Sequence, residues 1–464
     1  MYIDGWARGT GGTQDVVEVA TGRKLGRIGL AGADDVDNAV ASACAAQQGF
    51  ALLTPEERAA GLLRMRDNVA AADVELTQWL VREAGATRAK AKREIGAALA
   101  ELAFAAERLA LGRELVTNER RHYIRHSPVG VVGIITPFNA PLVLAMRALA
   151  PALARGNAVV LKPDPRTAVS GGLLLPALLE STGFPSGLLS ILPGGKDVGA
   201  RLSQHPGVAS ILFTGSTPVG QKVGEAAGRT LKRIGLELGG NNPVLVLADA
   251  DIERTVDRAI TSSFLHSGQI CMAAGQYLIE RTVYDDFVDS FCDKAARLRV
   301  GDPWADGTVD MGPVIDNSSV SRLTRMVEKS MADGAILRSG GDPAGRFFPA
   351  TVLCDVPERA PAWTDEVFGP VAPLRAVKDV GEAISLMNAS PFGLVSAVHT
   401  GDLERGRDIA SRLQSGTVRI NDVTNHDDPR TPMVGHGESG NGSAFGGPEM
   451  TELLTRVQLI SATR

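Results

Sequence analysis

The chain has 464 residues, of which 44% are hydrophobic and 22% charged, with a formal net charge of −5. That is enough for two to four domains and too apolar for wholesale disorder, while the acidic balance and 5% aromatic content argue against a nucleic-acid partner. Four cysteines, far apart and without a C-x-x-C pair, exclude a disulfide framework and a zinc ribbon. With no apolar leader and no membrane-length apolar run, a cytoplasmic protein in a reducing compartment is expected.

In chain order, residues 33–46, 55–71 and 87–111 have helical periodicity, with Asp34 and Thr54 as candidate N-caps. The pattern changes at VGVVGII (129–135), a continuous β-branched run typical of a strand buried on both faces. A helix over 141–154, the strand AVVLK (158–162), a helix over 170–181, LLSIL (188–192) and SILFTG (210–215) follow, then a helix from 218. Strand and helix in strict alternation predict a parallel sheet with crossover helices. PVLVL (243–247), a helix over 251–266, the strand 276–280 and a helix over 283–298 begin a second block. VAPLRAV (371–377), a helix over 379–388, LVSAVHT (394–400), a helix over 402–413 and GTVRI (416–420) complete it. Two α/β blocks joined near residue 238 are expected. NERRHYIRH (118–126) reads as an exposed hairpin and LLTRVQLIS (453–461) as an amphipathic strand, two leftover strands suited to pairing between subunits.

Five places carry candidate chemistry. Cys271 lies among small residues in SGQICMAAG (267–275), either as an inert buried thiol or as a nucleophile open to a substrate. Glu237 ends an apolar strand in IGLELGGNNPVLV (234–246), where burial would raise its pKa toward that of a general base; a surface carboxylate is the alternative. Asn139 in ITPFNAP (135–141) stands at a strand–helix junction, as an amide aimed into a crevice or as an N-cap. FTGSTPVG (213–220) is a Gly-rich turn opening a helix, whose N–H groups can face a pyrophosphate, although Gly215 and Gly220 lie five apart and do not form G-x-G-x-x-G. LKPDP (161–165) sets Lys162 at a strand end.

Taken together, TPFN (136–139), LKPDP (161–165), FTGSTPVG (213–220), LELGGNNP (236–243), GQICMAAG (268–275), EVFGP (366–370) and PFGLVSAV (391–398) resemble the aldehyde dehydrogenase superfamily in order and spacing. The resemblance runs from about residue 20 to the end of the chain. LKPDPRTAVSGG (161–172) and SGNGSAFGG (439–447) are most similar to its benzaldehyde and vanillin dehydrogenase branch.

The resemblance implies an α/β fold with a variant Rossmann cofactor domain (1–117 and 129–238), an α/β catalytic domain (239–435) and a small β oligomerisation arm (118–128 and 450–464). It implies a homodimer or homotetramer that oxidises a small-molecule aldehyde with NAD or NADP, without metal. Cys271 would be the nucleophile, Glu237 the base that activates water, and Asn139 an oxyanion donor. Thr136, Pro137, Phe138, Lys162, Pro163, Asp164, Gly215, Ser216, Gly220, Leu238, Gly239, Glu366 and Phe368 would bind the cofactor. Ala140, Leu144, Leu265, Ile270 and Met272 would line an apolar substrate tunnel, and the small Ala140 leaves room for a flat ring. The alternatives are a CoA-acylating or semialdehyde dehydrogenase, the latter recruiting its carboxylate through Arg147, and a catalytically silent protein on the same fold. Two positions depart from the family pattern. Pro165 stands where a ribose-binding glutamate is common, with Arg166 beside it, so NADP is expected to be accepted as well as NAD. Gln276 replaces a common arginine.

Overall fold

A computed structural model describes residues 1–107, 112–116 and 120–463, with backbone alone at 112–116, 120 and 463. The end of the helix expected over 87–111 and the start of the hairpin expected over 118–126 lie outside the described residues, as does residue 117, where the first segment of the expected cofactor domain ends.

Helices Ala33–Phe50, Pro55–Ala71, Asp73–Ala84 and Arg88–Glu107 form the N-terminal layer. Thr54 caps the second as expected: its hydroxyl accepts from the Glu57 N–H at 3.2 Å, and the Glu57 carboxylate accepts from the Thr54 N–H at 2.7 Å. Asp34 is not the cap of the first. The helix begins at Ala33, and the carboxylate that serves its start is Asp35, which accepts from the Gly32 and Thr10 N–H groups, both at 2.8 Å.

The strands Val131–Ile135 and Ala158–Lys162 are buried at every residue, as their unbroken apolar runs require. They belong to a five-stranded parallel sheet in the order Leu189–Ile191, Ala158–Lys162, Val131–Ile135, Val208–Thr214, Arg233–Glu237. The chain winds outward in one direction from Val131–Ile135, then returns to its other side. The two turns leaving the central strands therefore diverge, and a crevice opens at their C-terminal ends. The outer edge of Arg233–Glu237 is not bare. Leu238 N–H donates to the Ser439 carbonyl at 3.0 Å, Leu236 N–H to Asn441 Oδ1 at 3.1 Å, and Asn441 Nδ2 to the Ile234 carbonyl at 3.0 Å. Phe445 and Leu453 pack onto Gly235, where a Cβ would come within 2.7 and 2.8 Å of them.

Residues 238–241 step into a seven-stranded sheet ordered Ile336–Ser339, Thr351–Cys354, Val371–Val377, Ala274–Glu280, Asn242–Val246, Val395–His399, Thr417–Ile420. Only its edge strand Ile336–Ser339 runs antiparallel. A third, antiparallel sheet joins Gly112–Val116, Arg120–Pro128 and Thr455–Thr463, so the two leftover strands pair with each other in this chain.

One expected helix, over 170–181, is broken. A π turn at Val169–Leu173 precedes a short helix Leu175–Leu178. Gly171 and Gly172 press against Pro141 and Ile191, and a Cβ on either would come within 2.9 and 2.8 Å of them. The buried Glu83 carboxylate draws in the Val169 and Ser170 N–H groups at 3.0 and 2.7 Å. Close packing and a side-chain acceptor thus displace the regular i→i−4 ladder.

Candidate active site

A cleft of about 1080 Å3 opens along the C-terminal ends of the five-stranded sheet and reaches Cys271 and Glu366 from the second. Its walls follow from the topology: Thr136–Asn139 leave the central strand, Lys162 and Asp164 the next, and Gly215 and Ser216 the strand on the other side. Ser216 precedes helix Thr217–Gly228, whose first N–H groups make this wall suited to an anionic group. Lys162 is buried, with Nζ donating to the Pro163 carbonyl at 3.1 Å, and burial lowers its pKa.

Cys271 stands in a tightly built turn. His266, Ser267 and Gly268 all have positive φ, at 53°, 55° and 67°, and a Cβ on Gly268 would lie 2.1 Å from the Gly369 carbonyl oxygen. This position requires glycine for both conformation and space. Asn242 Nδ2 donates to the carbonyls of Cys271 and Ala273 at 2.8 and 2.7 Å, and its Oδ1 accepts from Val395 N–H at 3.1 Å. One amide thus fixes the Cys271 turn to the second sheet. The thiol remains partly open on the cleft wall. Burial pushes its pKa up to about 12, helped by the negative charges of Glu237, Glu366 and Asp427, so the unliganded thiol is protonated at neutral pH.

Glu237 ends its strand behind this wall, 3% exposed. Its carbonyl accepts from Gly215 N–H at 3.0 Å, which ties it to the Gly-rich turn. Neither carboxylate oxygen has a hydrogen-bond partner of good geometry among the described residues. Burial raises its pKa well above the usual range; Arg147 and the nearby Gly435 amide oppose this, and Asp427 adds to it. Asn139 is buried on the cleft wall and is not the cap of the following helix Pro141–Ala154, which begins after Ala140. Its carbonyl accepts from buried Lys90 Nζ at 2.7 Å, and Lys90 also pairs with Glu94. Glu94 in turn accepts from the Leu142 and Val143 N–H groups at 2.8 and 3.3 Å, as an acidic group at a helix N-terminus does. Asn139 is therefore positioned by a charged pair on helix Arg88–Glu107.

At the far wall Glu366 accepts from Gly240 N–H at 3.3 Å, and burial raises its pKa to about 7. A Cβ on Gly239 would fall 2.3 Å from this carboxylate, so Gly239 leaves the space Glu366 occupies. Arg322 donates to the Val367 and Phe368 carbonyls at 2.7 and 3.0 Å and holds Phe368 at φ 42°. Phe368 meets Phe138 edge to face at 5.8 Å.

Of the residues expected to bind cofactor, eleven line this cleft; Pro163 and Gly220 do not. Gly220 instead lets its helix approach Leu238, where a Cβ would be 2.4 Å from Cδ2. Of the five expected in the substrate tunnel only Leu144 lines the cleft. Ala140 precedes the helix, Leu265 and Ile270 are half-buried in the turn around Cys271, and Met272 is buried in the first core. Arg166 is not free to meet a phosphate: it grips Asp164 through Nε at 3.0 Å and Nη2 at 2.8 Å, and Asp316 through Nη1 at 2.8 Å. Arg147, considered above as a recruiter of carboxylates, is fully buried and already paired. Its Nε donates to Glu101 at 2.8 Å and its Nη2 to Asp427 at 2.7 Å. Gln276 donates to the Trp363 carbonyl at 2.7 Å, so an amide occupies the arginine's place in a buried hydrogen bond. The sequence reading missed Lys90, Glu94, Glu101, Arg322 and Asp427, whose partners are distant in the chain; Asn242 alone had a local signal, in LELGGNNP.

Residues 6–460 match the aldehyde dehydrogenase family, and the chain belongs to it. It is therefore an NAD(P)-dependent aldehyde dehydrogenase. The chain is similar to a vanillin dehydrogenase of Amycolatopsis sp., 44% identical over 97% of this chain and 93% of that one. It is also similar to a benzaldehyde dehydrogenase [NAD(+)] of Pseudomonas putida, 42% identical over 99% and 95%. Among solved structures, an NADP-dependent enzyme of E. coli superposes with a TM-score of 0.96 at 32% identity, covering 100% of this chain and 97% of that one. Among the described residues no helix is long and apolar enough to cross a membrane.

Proposed function

We propose that the chain oxidises a neutral aromatic aldehyde of the benzaldehyde type to its carboxylic acid through a thioester on Cys271. Similarity to vanillin and benzaldehyde dehydrogenases over nearly the whole chain supports the aromatic class. The observation that carries it is the charge around the buried Arg147, where Glu101 is buried and Asp427 exposed. One positive group, Arg147, faces two negative ones, Glu101 and Asp427, with Glu237 adjacent. A substrate carboxylate would meet surplus negative charge there and would lose its hydration.

The residues that line the cleft suit a dinucleotide: Lys162 would hold a ribose, the N-terminus of helix Thr217–Gly228 the pyrophosphate, and Glu366 the nicotinamide ribose. When bound, the dinucleotide supplies the acceptor for the aldehyde hydride. Cys271 loses its proton to solvent water, its sulfur bonds to the aldehyde carbon, and the carbonyl π electrons move onto the oxygen. The Asn139 amide and the Cys271 N–H donate to the resulting oxyanion. As hydride leaves, the carbonyl reforms as a thioester. Glu237 then takes a proton from water, the water oxygen bonds to the acyl carbon, and the carbon–sulfur electrons return to Sγ. Retention of Glu237 favours water over CoA as acyl acceptor.

Absorbance at 340 nm tests this. Benzaldehyde or vanillin should give a kcat/KM at least about tenfold above acetaldehyde and succinic semialdehyde, because a buried ring contributes roughly 25 cal/mol per Å2. CoA should not accelerate the reaction. Preference for succinic semialdehyde would overturn the aromatic assignment.

For the cofactor, Pro165 offers no carboxylate to a ribose hydroxyl, and the charge of Arg166 is balanced by Asp164 and Asp316. Both NAD and NADP should therefore be turned over. Pro165→Glu should raise the NAD to NADP ratio of kcat/KM by roughly tenfold, since a charged hydrogen bond is worth about 1.5 to 3 kcal/mol. Asp316→Asn should shift the ratio the other way by releasing Arg166. Strict use of NAD by the wild type would refute this.

We assign the outer sheet to assembly as a homodimer or homotetramer. Val457, Leu459 and Ile460 on Thr455–Thr463 and Tyr123 beside them are exposed apolar groups on an edge that invites pairing with a second copy. Four free cysteines accord with a reducing compartment such as the cytoplasm.

A further inference from the structure

Arg166 spans the cleft from one wall to the other. It lies in the turn Pro165–Thr167, just after the strand Ala158–Lys162 of the first sheet. On its own side Asp164 holds it three times: the carboxylate accepts from the Arg166 N–H at 2.9 Å, from Nε at 3.0 Å and from Nη2 at 2.8 Å. On the other side Nη1 donates to Asp316 Oδ2 at 2.8 Å. Asp316 starts helix Asn317–Ala332, which is packed into the second core through Leu323, Met326 and Val327 and carries Ser319 and Arg322 on the far wall of the cleft. Between these anchors the guanidinium sits over the ring of Phe138, 4.3 Å from its centroid, and Phe138 in turn meets Phe368. Arg166, Phe138 and Phe368 all line the cleft.

We propose that Arg166 is a gate on cofactor exchange: its bond to Asp316 closes the cleft across the path of the dinucleotide, which enters and leaves when that bond opens. This rests on the reading of the cleft as the dinucleotide site. A dinucleotide extended from Lys162 to Glu366 runs past Phe138, and so past the guanidinium that lies on it. The two anchors are unequal. The grip on Asp164 is bidentate and local, whereas a single bond reaches Asp316 between side chains 41% and 28% exposed. A pair this open to water holds weakly and breaks first, with the guanidinium staying on Asp164.

The test is stopped-flow fluorescence of NADH, with entry followed on mixing and release followed on displacement by excess NAD. Asp316→Asn removes the bridging charge but keeps Oδ1, which caps the helix by accepting from the Ser319 N–H at 2.8 Å. Arg166→Met removes the cation and keeps an apolar stem on Phe138. Opening the gate should speed both entry and release in both variants, by roughly two- to fivefold, the range for one partly exposed ion pair. Charge alone predicts otherwise. Asp316→Asn makes the cleft more positive and would slow release of the anionic cofactor, and Arg166→Met makes it more negative and would slow entry. These two rates therefore decide. Unchanged or slower release in Asp316→Asn, or unchanged or slower entry in Arg166→Met, overturns the gate. Lys162→Met separates the two readings. If it leaves NADH affinity intact, the placement of the dinucleotide in this cleft falls; if it weakens NADH while either deciding rate fails, only the gate falls.

Discussion

Cys271→Ala should abolish dehydrogenase turnover, with a loss of roughly 10^4-fold or more, because a covalent pathway without its nucleophile retains only binding and oxyanion stabilisation. Cys292→Ala is the matched control. Cys292 lies on helix Tyr284–Ala296 beside Cys354 and does not line the cleft, and its loss should leave most activity. Steady-state rates with benzaldehyde at saturating NAD check both, and full activity in Cys271→Ala would sink the thioester scheme. A pH consequence accompanies this prediction. The thiol of the unliganded protein is pushed up to about 12, and the Glu237 carboxyl is also raised. Both groups must lose a proton to work, so turnover should climb as pH rises through neutrality and fall off on the acid side.

The second large effect is expected at Glu237. Glu237→Gln keeps the shape of the side chain and removes its basicity, so hydrolysis of the thioester should slow by about 10^2- to 10^4-fold, the usual contribution of a general base. Hydride transfer precedes that step and should be far less affected. Stopped-flow absorbance should therefore show a burst of reduced cofactor close to one per active site, followed by slow turnover. An equal loss in the burst and the steady state would assign Glu237 to the first half of the reaction instead.

The parallel sheets were legible because their strands are continuous β-branched runs: VVGII and AVVLK are buried residue by residue, as such runs demand. The segment over 170–181 was not, because apolar periodicity says nothing of Gly171 and Gly172 meeting Pro141 and Ile191. Cys271, Asn139 and Glu237 were visible through motifs that lie within a few residues of each. What holds them was hidden for a simple reason. Arg147 meets partners 46 and 280 residues away, and Lys90 meets Asn139 across 49. Such charges, read along the chain, look like ordinary solvated side chains, and Arg147 had invited the opposite expectation of a free cation awaiting a substrate. Pro165 lacks a carboxylate in the sequence itself, but the use of Arg166 depends on Asp316, which only the fold brings near.

The hydrogen bonds of residues 439–441 along strand Arg233–Glu237 set an order on biosynthesis. While the ribosome adds residues 272 to 438, the emerging polypeptide already carries both Glu237 and Cys271, yet the strand that bears Glu237 has an open side. Until Ser439 and Asn441 arrive, the backbone of Leu236 and Leu238 lacks these partners, and Gly235 lacks the cover of Phe445 and Leu453. A nascent chain arrested in that interval would present a naked sheet border, which makes it a natural client for chaperones and a seed for self-association. Chemical competence thus comes late in translation, and a stalled product would be sticky before it could be active.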